Sequence, residues 1–321
     1  MQPLKEIVAK DGVCELEWVL PEGQTLEDWP GSAPDLLVEI PHGATRTRDY
    51  SRLRARLSPT LPEDLVDFFH VNTDVGAPEY GREVARQVVA GAGGASGGGR
   101  PLLALVIRCL LPRTFIDTNR VAEDSSAATA RTELNAAISE YVRDPKDVEL
   151  LVSLHQSYHD VADRAFDWVC GGGGIALAPH TYAPRSIQID DFDEGIGRAI
   201  RAAYEPDVYE TWTVRPPVDL ITLAPDGRDL SPRSVVDAIR KRYEALDIAT
   251  AENDTYRLHP STMAYRYADR YPGQVLCLEL RRDYLADPFT PFAEMHVPEE
   301  RAKRMAGPIA ESLREALLAR S

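Results

Sequence analysis

The stretch that most constrains this chain is residues 35–44, Asp-Leu-Leu-Val-Glu-Ile-Pro-His-Gly-Ala. A short apolar run with a β-branched pair is closed abruptly by Pro41, His42 and Gly43. Such a run is a buried strand, and the Pro and Gly that follow it make a tight loop. In an open α/β sheet, ligands bind just beyond the carboxyl ends of such strands. His42 is therefore expected there, carried by a rigid element.

The pattern recurs three times. Residues 102–110 form a second apolar strand running into Pro112-Arg113-Thr114-Phe115-Ile116-Asp117-Thr118-Asn119-Arg120. Residues 175–178 form a third, closed by Pro179-His180. Residues 274–280 form a fourth, with Glu279 near its end. Between these runs, apolar residues at helical spacing predict helices over 62–69, 79–90, 147–169, 193–204, 231–246 and 301–319. Further strands are expected at 13–20 and 218–223, and residues 251–273 are expected to be loop-rich. Strands alternating with helices predict α/β architecture, a mainly parallel sheet covered on both faces. At 321 residues the chain is long enough for one large domain of this kind.

Composition narrows the partners. A net charge of −15 argues against nucleic acid, which needs an exposed basic surface. The longest apolar stretch, residues 102–111, contains Arg108 and is too short to cross a bilayer. The four cysteines, Cys14, Cys109, Cys170 and Cys277, are widely separated, so neither a zinc ribbon nor a disulfide framework is expected. Cys109 and Cys277 lie within apolar runs and are expected to pack as small hydrophobes. The N-terminus lacks the apolar core of a signal peptide, and a reducing, cytoplasmic compartment is expected. The Gly-, Ala- and Ser-rich residues 91–99 complete no phosphate-binding motif and are expected to be a surface connection. Their Gly-x-Ser-x-Gly match lacks the strand–turn–helix setting of a nucleophile elbow.

If the four strands are parallel neighbours, His42, the 117–120 cluster, His180 and Glu279 converge on one sheet edge. Two histidines on separate strand ends can start a zinc site, since a catalytic zinc usually has three protein ligands and a water. Asp74, in the turn Asn72-Thr73-Asp74, is a candidate third ligand, or a plain turn or capping residue. A glutamate inside an apolar strand is costly unless paired or used. Glu279 is thus either a general base beside a metal-activated water or the partner of Arg281 or Arg282. Arg120 can grip a substrate carboxylate in a bidentate way, with Asn119 adding a hydrogen bond, while Asp117 either joins the site or simply holds Arg120. His155 and His159, four apart on a helix, share a face; His159 is expected to line the pocket or bind its helix to the site.

The order of these motifs resembles the N-formylglutamate amidohydrolase family, and more distantly the zinc carboxypeptidases and aspartoacylases. The residues concerned are Ile-Pro-His-Gly at 40–43, Asn-Thr-Asp at 72–74, Asp-Thr-Asn-Arg at 117–120, Tyr-His at 158–159, Pro-His-Thr at 179–181 and Glu-Leu-Arg-Arg-Asp-Tyr at 279–284. The likeness runs over about residues 35–285. Residues 1–34 and 286–321 are extensions outside it on one α/β hydrolase-type domain.

The resemblance implies a three-layer α/β/α fold of the phosphorylase/hydrolase type and a zinc-dependent hydrolase with one zinc per chain. The substrate would be an N-acyl amino acid or a peptide-type amide with a free carboxylate. His42 and His180 would be ligands with Asp74 as the candidate third, Glu279 the general acid/base, and Asn119 with Arg120 the carboxylate anchor. Arg113 and Arg185 are candidates for stabilising the tetrahedral intermediate, and Arg185, Arg266 and His159 for contacting substrate. Two departures stand out: Ala178 occupies the place of an acidic residue two before the second histidine, and Thr181 that of a serine. The alternatives are a metallopeptidase acting on a modified peptide and a non-catalytic binding protein on the same scaffold. The oligomeric state is left open.

Overall fold

The structure is a computed structural model and describes residues 7–27, 29, 32–90, 100–120, 137–189 and 193–320. The connection expected at 91–99, its Gly-x-Ser-x-Gly match and the polar stretch 121–136 lie outside the described residues.

Seven strands form one sheet: β1 (Cys14–Val19), β2 (Leu36–Ile40), β3 (Ala104–Cys109), β4 (Ile175–Tyr182), β5 (Val218–Ile221), β6 (Thr250–Glu252) and β7 (Val275–Arg281). Their order is β1-β3-β2-β4-β7-β5-β6. β3, β2, β4 and β7 are mutually parallel, while β1 and β5 join the parallel block antiparallel. The architecture is α/β with a mixed sheet and helices on both sides.

Side chains alternate across that sheet. Leu36, Val38, Ile40, Leu276, Leu278 and Leu280 face one core, built with α3 (Ala77–Ala90), α7 (Arg233–Glu244) and α9 (Glu299–Ala319). Leu37, Ala176, Ala178, Val275 and Cys277 face the other. That second core is built with α1 (Thr47–Arg54), α2 (Leu65–Asn72), α4 (Pro145–Val169), α5 (Ile196–Ala203) and α8 (Met263–Arg270); the one-turn α6 (Pro206–Tyr209) buries no side chain. Both faces of β2, β3 and β4 are fully buried, which explains their near-continuous apolar sequences.

α1, α6 and β6 are not among the elements expected from the sequence, and two further departures bear on the site. β4 continues through Pro179 and His180 to Tyr182, so His180 stands within a strand rather than after one. The region 251–273 contains α8, started by the Thr262 side chain, which accepts from the Tyr265 amide. α8 buries Met263, Ala264, Tyr267 and Ala268, and Tyr267 stacks on Phe166 of α4 with ring centroids 3.7 Å apart. Four apolar positions scattered among Arg, Tyr and Asp are a weak helical signal, and tertiary packing supplies the rest.

Arg108, the charge inside the apolar β3, has three partners. It donates to the Gly43 carbonyl at 2.7 Å, to Asp49 at 2.6 Å and to Glu15 at 3.1 Å. It thereby fixes the loop that carries His42. A Cβ on Gly43 would lie 2.6 Å from Arg108 Cγ and 2.8 Å from the Cys109 carbonyl. Gly43→Ala is therefore expected to destabilise by about 1–3 kcal/mol, a typical cost of overpacking. Urea unfolding checks this, with Gly273→Ala, strained in backbone but open in space, as the comparison for conformational strain alone.

Candidate metal centre and its cleft

The connections out of β2 and β4 diverge, one toward β3 and the other toward β7, so the crevice at their carboxyl ends is the switch point where ligands bind in such sheets. His42 follows β2, and His180 lies in β4. Asp74 comes from the turn between α2 and α3, where the Thr73 hydroxyl donates to the Ala44 carbonyl and secures it. The three side chains are buried, and their ligand atoms all lie within 4.8 Å of one another.

Asp74 is the centre of the cluster. Its Oδ2 lies 3.3 Å from His42 Nδ1 and 3.1 Å from His180 Nδ1, and accepts from the Thr181 amide at 3.2 Å. Burial alone would raise its pKa. The charge of His42 and the hydrogen bonds from His180 and His42 override this and hold the carboxyl well below its usual range. Two cations add to the field, Arg113 at 3.6 Å and Arg282 at 3.8 Å from Oδ1.

His42 uses its other nitrogen too: Nε2 lies 2.7 Å from Asp117 Oδ1. Burial and Arg113 lower the His42 pKa, but Asp117 and Asp74 outweigh them, so the net shift is upward. Asp117 does two jobs that the sequence left as alternatives. Oδ1 holds His42 and the Asn119 amide, while Oδ2 faces Arg113 at 3.3 Å and Arg120 at 3.7 Å. The position of the missing acid, Ala178, is a buried core position one same-face step before His180 on β4. His180 accordingly has no carboxylate on Nε2, which is buried without a partner.

These donors fit a divalent metal. Separations of 3.1 and 3.3 Å match the roughly 3.3 Å between ligand atoms around a tetrahedral ion bound at about 2.0–2.1 Å. Two imidazoles and a carboxylate beside a cleft are donors of the kind that bind divalent metal ions. Asp117 on the far nitrogen of His42 is the pairing that orients metal-ligating imidazoles.

Glu279 stands beside His180 in the β4–β7 register. Arg281 pairs with Asp283, and Arg282 donates to the Val71 and Thr181 carbonyls, so neither neutralises it. Its Oε2 is buried with no partner. Burial, then the Asp74 charge, raises its pKa to about 7, against opposing pulls from His180, Arg215 and Arg113.

A cleft of about 500 Å³ opens over this group, and His42, His180, Glu279, Arg113, Asn119 and Arg120 line it. The opposite wall is the segment 255–259, and that segment hangs on Asp219, whose carboxylate accepts from the Asp254 and Thr255 amides. Asp219 faces Glu279 across the β5–β7 pairing.

Three sequence candidates stand elsewhere. Arg185 pairs with Glu210 and donates to the Trp212 carbonyl, outside the cleft lining. Arg266 lies 3.7 Å from Asp163 on the outer side of α8. Each is paired with an acid from another segment, Glu210 and Asp163 respectively. His159 does not line the cleft; it braces the 117–120 loop, donating from Nε2 to the Thr118 carbonyl at 3.0 Å. His155, stacked on it at 3.9 Å, donates likewise to the Arg120 carbonyl at 2.8 Å. Asp219 escaped sequence reading, although it had the same signal as Glu279, an acid within an apolar strand, and Arg282, read as an alternative partner of Glu279, stands beside Asp74 instead.

His159 gives a pH test. Burial and the neighbouring His155 lower its pKa from 6.5 to about 3, so it stays neutral where an unfolded-state histidine would take up a proton. The stability it contributes is present above pH 6.5 and is lost as the pH falls toward 3, by on the order of 1.4 kcal/mol per unit. The stability difference between wild type and His159→Gln is expected to shift in favour of the variant over that range in urea titrations. A constant difference from pH 7 to 4 would contradict it.

Fold and site together define an α/β protein with a buried His–Asp–His cluster at the sheet's switch point, open to a cationic cleft. No protein-family model matches the chain, and no curated protein matches it. Among solved structures it is similar to the gene product Atu2144 from Agrobacterium tumefaciens, at 16% identity over 90% of this chain and 96% of that one, TM-score 0.48. It is also similar to an N-formylglutamate amidohydrolase from Ralstonia eutropha JMP134, at 15% identity over 95% and 98%, TM-score 0.49. No described helix is long and apolar enough to cross a membrane.

Proposed function

We propose that this protein is a metal-dependent amidohydrolase, with one zinc per chain held by His42, Asp74 and His180. Its substrate is an N-acyl amino acid or a peptide-type amide with a free carboxylate. The observation that carries this reading is the half-buried Glu279, whose Oε2 is enclosed without a hydrogen-bond partner, beside a convergent two-imidazole, one-carboxylate cluster in one cleft. The order of motifs along the chain supports the same chemistry.

When bound, zinc would polarise the amide carbonyl and lower the pKa of a water toward ~7. The chain does the rest. Glu279, with its pKa near 7, takes a proton from the attacking water and returns it to the leaving amine nitrogen. Asp117 keeps His42 in orientation. Asn119 and Arg120 bind the substrate carboxylate, and Arg113 faces the negative charge that develops on the carbonyl oxygen. Four free, buried cysteines suit a reducing compartment such as the cytoplasm.

The test is amino-acid release from a panel of N-acyl amino acids and peptides with zinc present. The expected result is hydrolysis that a chelator abolishes and added zinc restores. A zinc-loaded protein that hydrolyses none of them would contradict the reading in favour of a binding role.

A further inference from the structure

The cleft changes character along the strand order. Arg113, Asn119 and Arg120 arrive from the β3 side, His42 follows β2, His180 stands in β4, and Glu279 comes next on β7. Beyond Glu279 the lining is mixed: Ile221, Leu258, Ala264 and Cys277 form an apolar patch, and Thr255, Tyr256, Arg257, His259 and Thr262 also line this side. Register fixes where this floor begins. Cys277 lies two residues before Glu279 on the same sheet face and pairs directly with Ile221 of β5. Two residues of strand are roughly 7 Å, the length of about five methylenes. All four side chains are at least nine-tenths buried, and burial keeps the Cys277 thiol far from ionisation.

Volume agrees. The cleft's 500 Å³ falls among pockets that enclose drug-sized ligands, roughly 300–1,000 Å³. A one-carbon acyl group at the metal would leave the floor uncovered. A carboxylate held on the β3 side directs the amino-acid half away from the floor, so the acyl half lies on it.

We infer that the acyl group of the substrate is an extended apolar chain or ring, seated on Ile221, Leu258, Ala264 and Cys277, and that this floor sets acyl specificity. The inference rests on the amidohydrolase reading above.

The experiment compares N-formyl, N-acetyl, N-butanoyl, N-hexanoyl and N-benzoyl derivatives of one acidic amino acid on the zinc-loaded enzyme. The expected result is a kcat/KM that climbs about three- to fourfold per methylene up to hexanoyl. Ala264→Phe, which fills the floor, is expected to bring the hexanoyl-to-acetyl ratio below one. Ala264→Leu is a milder filler and should lower it part of the way. The ratio is internal to each variant, so a partly folded preparation does not distort it. A series that is flat or falls from formyl to hexanoyl would overturn the inference and leave the hydrolase reading standing, as would a ratio unmoved by both variants. Absence of hydrolysis across the whole series would overturn both.

Discussion

Glu279→Gln is expected to reduce kcat by about 10²–10⁴-fold, the usual contribution of a general acid–base group, while zinc content stays at the wild-type level. The glutamine keeps the shape of the side chain and removes only its ability to take a proton. Stability should move the other way. In the metal-free protein the carboxyl pKa is raised from 4.5 to about 7, chiefly by burial. Between those values the unfolded chain ionises and the folded one does not, so folding stability falls as the pH rises from 4.5 through 7. The cost approaches about 3–4 kcal/mol, on the order of 1.4 kcal/mol per unit. A neutral glutamine escapes it, and metal-free Glu279→Gln is expected to be more stable than wild type at pH 8. A loss of activity coupled to a loss of stability would instead mark Glu279 as a structural residue.

The second large effect is expected at Asp74. Its carboxylate meets two imidazoles, an amide and two guanidiniums, of which Arg282 is almost wholly buried. Asp74→Asn preserves volume but leaves Arg282 with backbone carbonyls and the Thr181 hydroxyl alone. Removing one member of a buried charge group costs about 3–5 kcal/mol. The variant should therefore unfold at clearly lower urea and retain no stoichiometric zinc. Unchanged stability together with retained zinc would remove Asp74 from the centre of the site.

The strands that carry the site were legible because each is an apolar run with polar residues at or soon after its carboxyl end. The same pattern made Glu279 conspicuous, since an acid flanked by leucines has few cheap explanations. Asp219 and Glu39 are acids in apolar strands as well, but they escaped sequence reading, and their partners are a loop and a tyrosine that only the fold brings near. Asp219 takes amides of 254 and 255, and Glu39 takes the Tyr158 hydroxyl from α4. Arg185 and Arg266 show the converse. Arginines are common, and nothing local distinguishes one that reaches a cleft from one held by Glu210 or Asp163. Asp74 was harder to read, because Asn-Thr-Asp is ordinary turn chemistry and its role depends on a β4 partner more than a hundred residues away. The apolar floor was invisible for a similar reason: Ile221, Leu258, Ala264 and Cys277 come from four segments, each with a sufficient explanation as core.

The most direct measurement is the metal content of the purified protein by elemental analysis, on wild type and on His42→Ala/His180→Ala. The His42–Asp74–His180 centre requires about one zinc per wild-type chain and none in the double variant, with both proteins folded by circular dichroism. A wild-type protein that holds no metal, and takes up none when zinc is added, would contradict the site and the hydrolysis assigned to it.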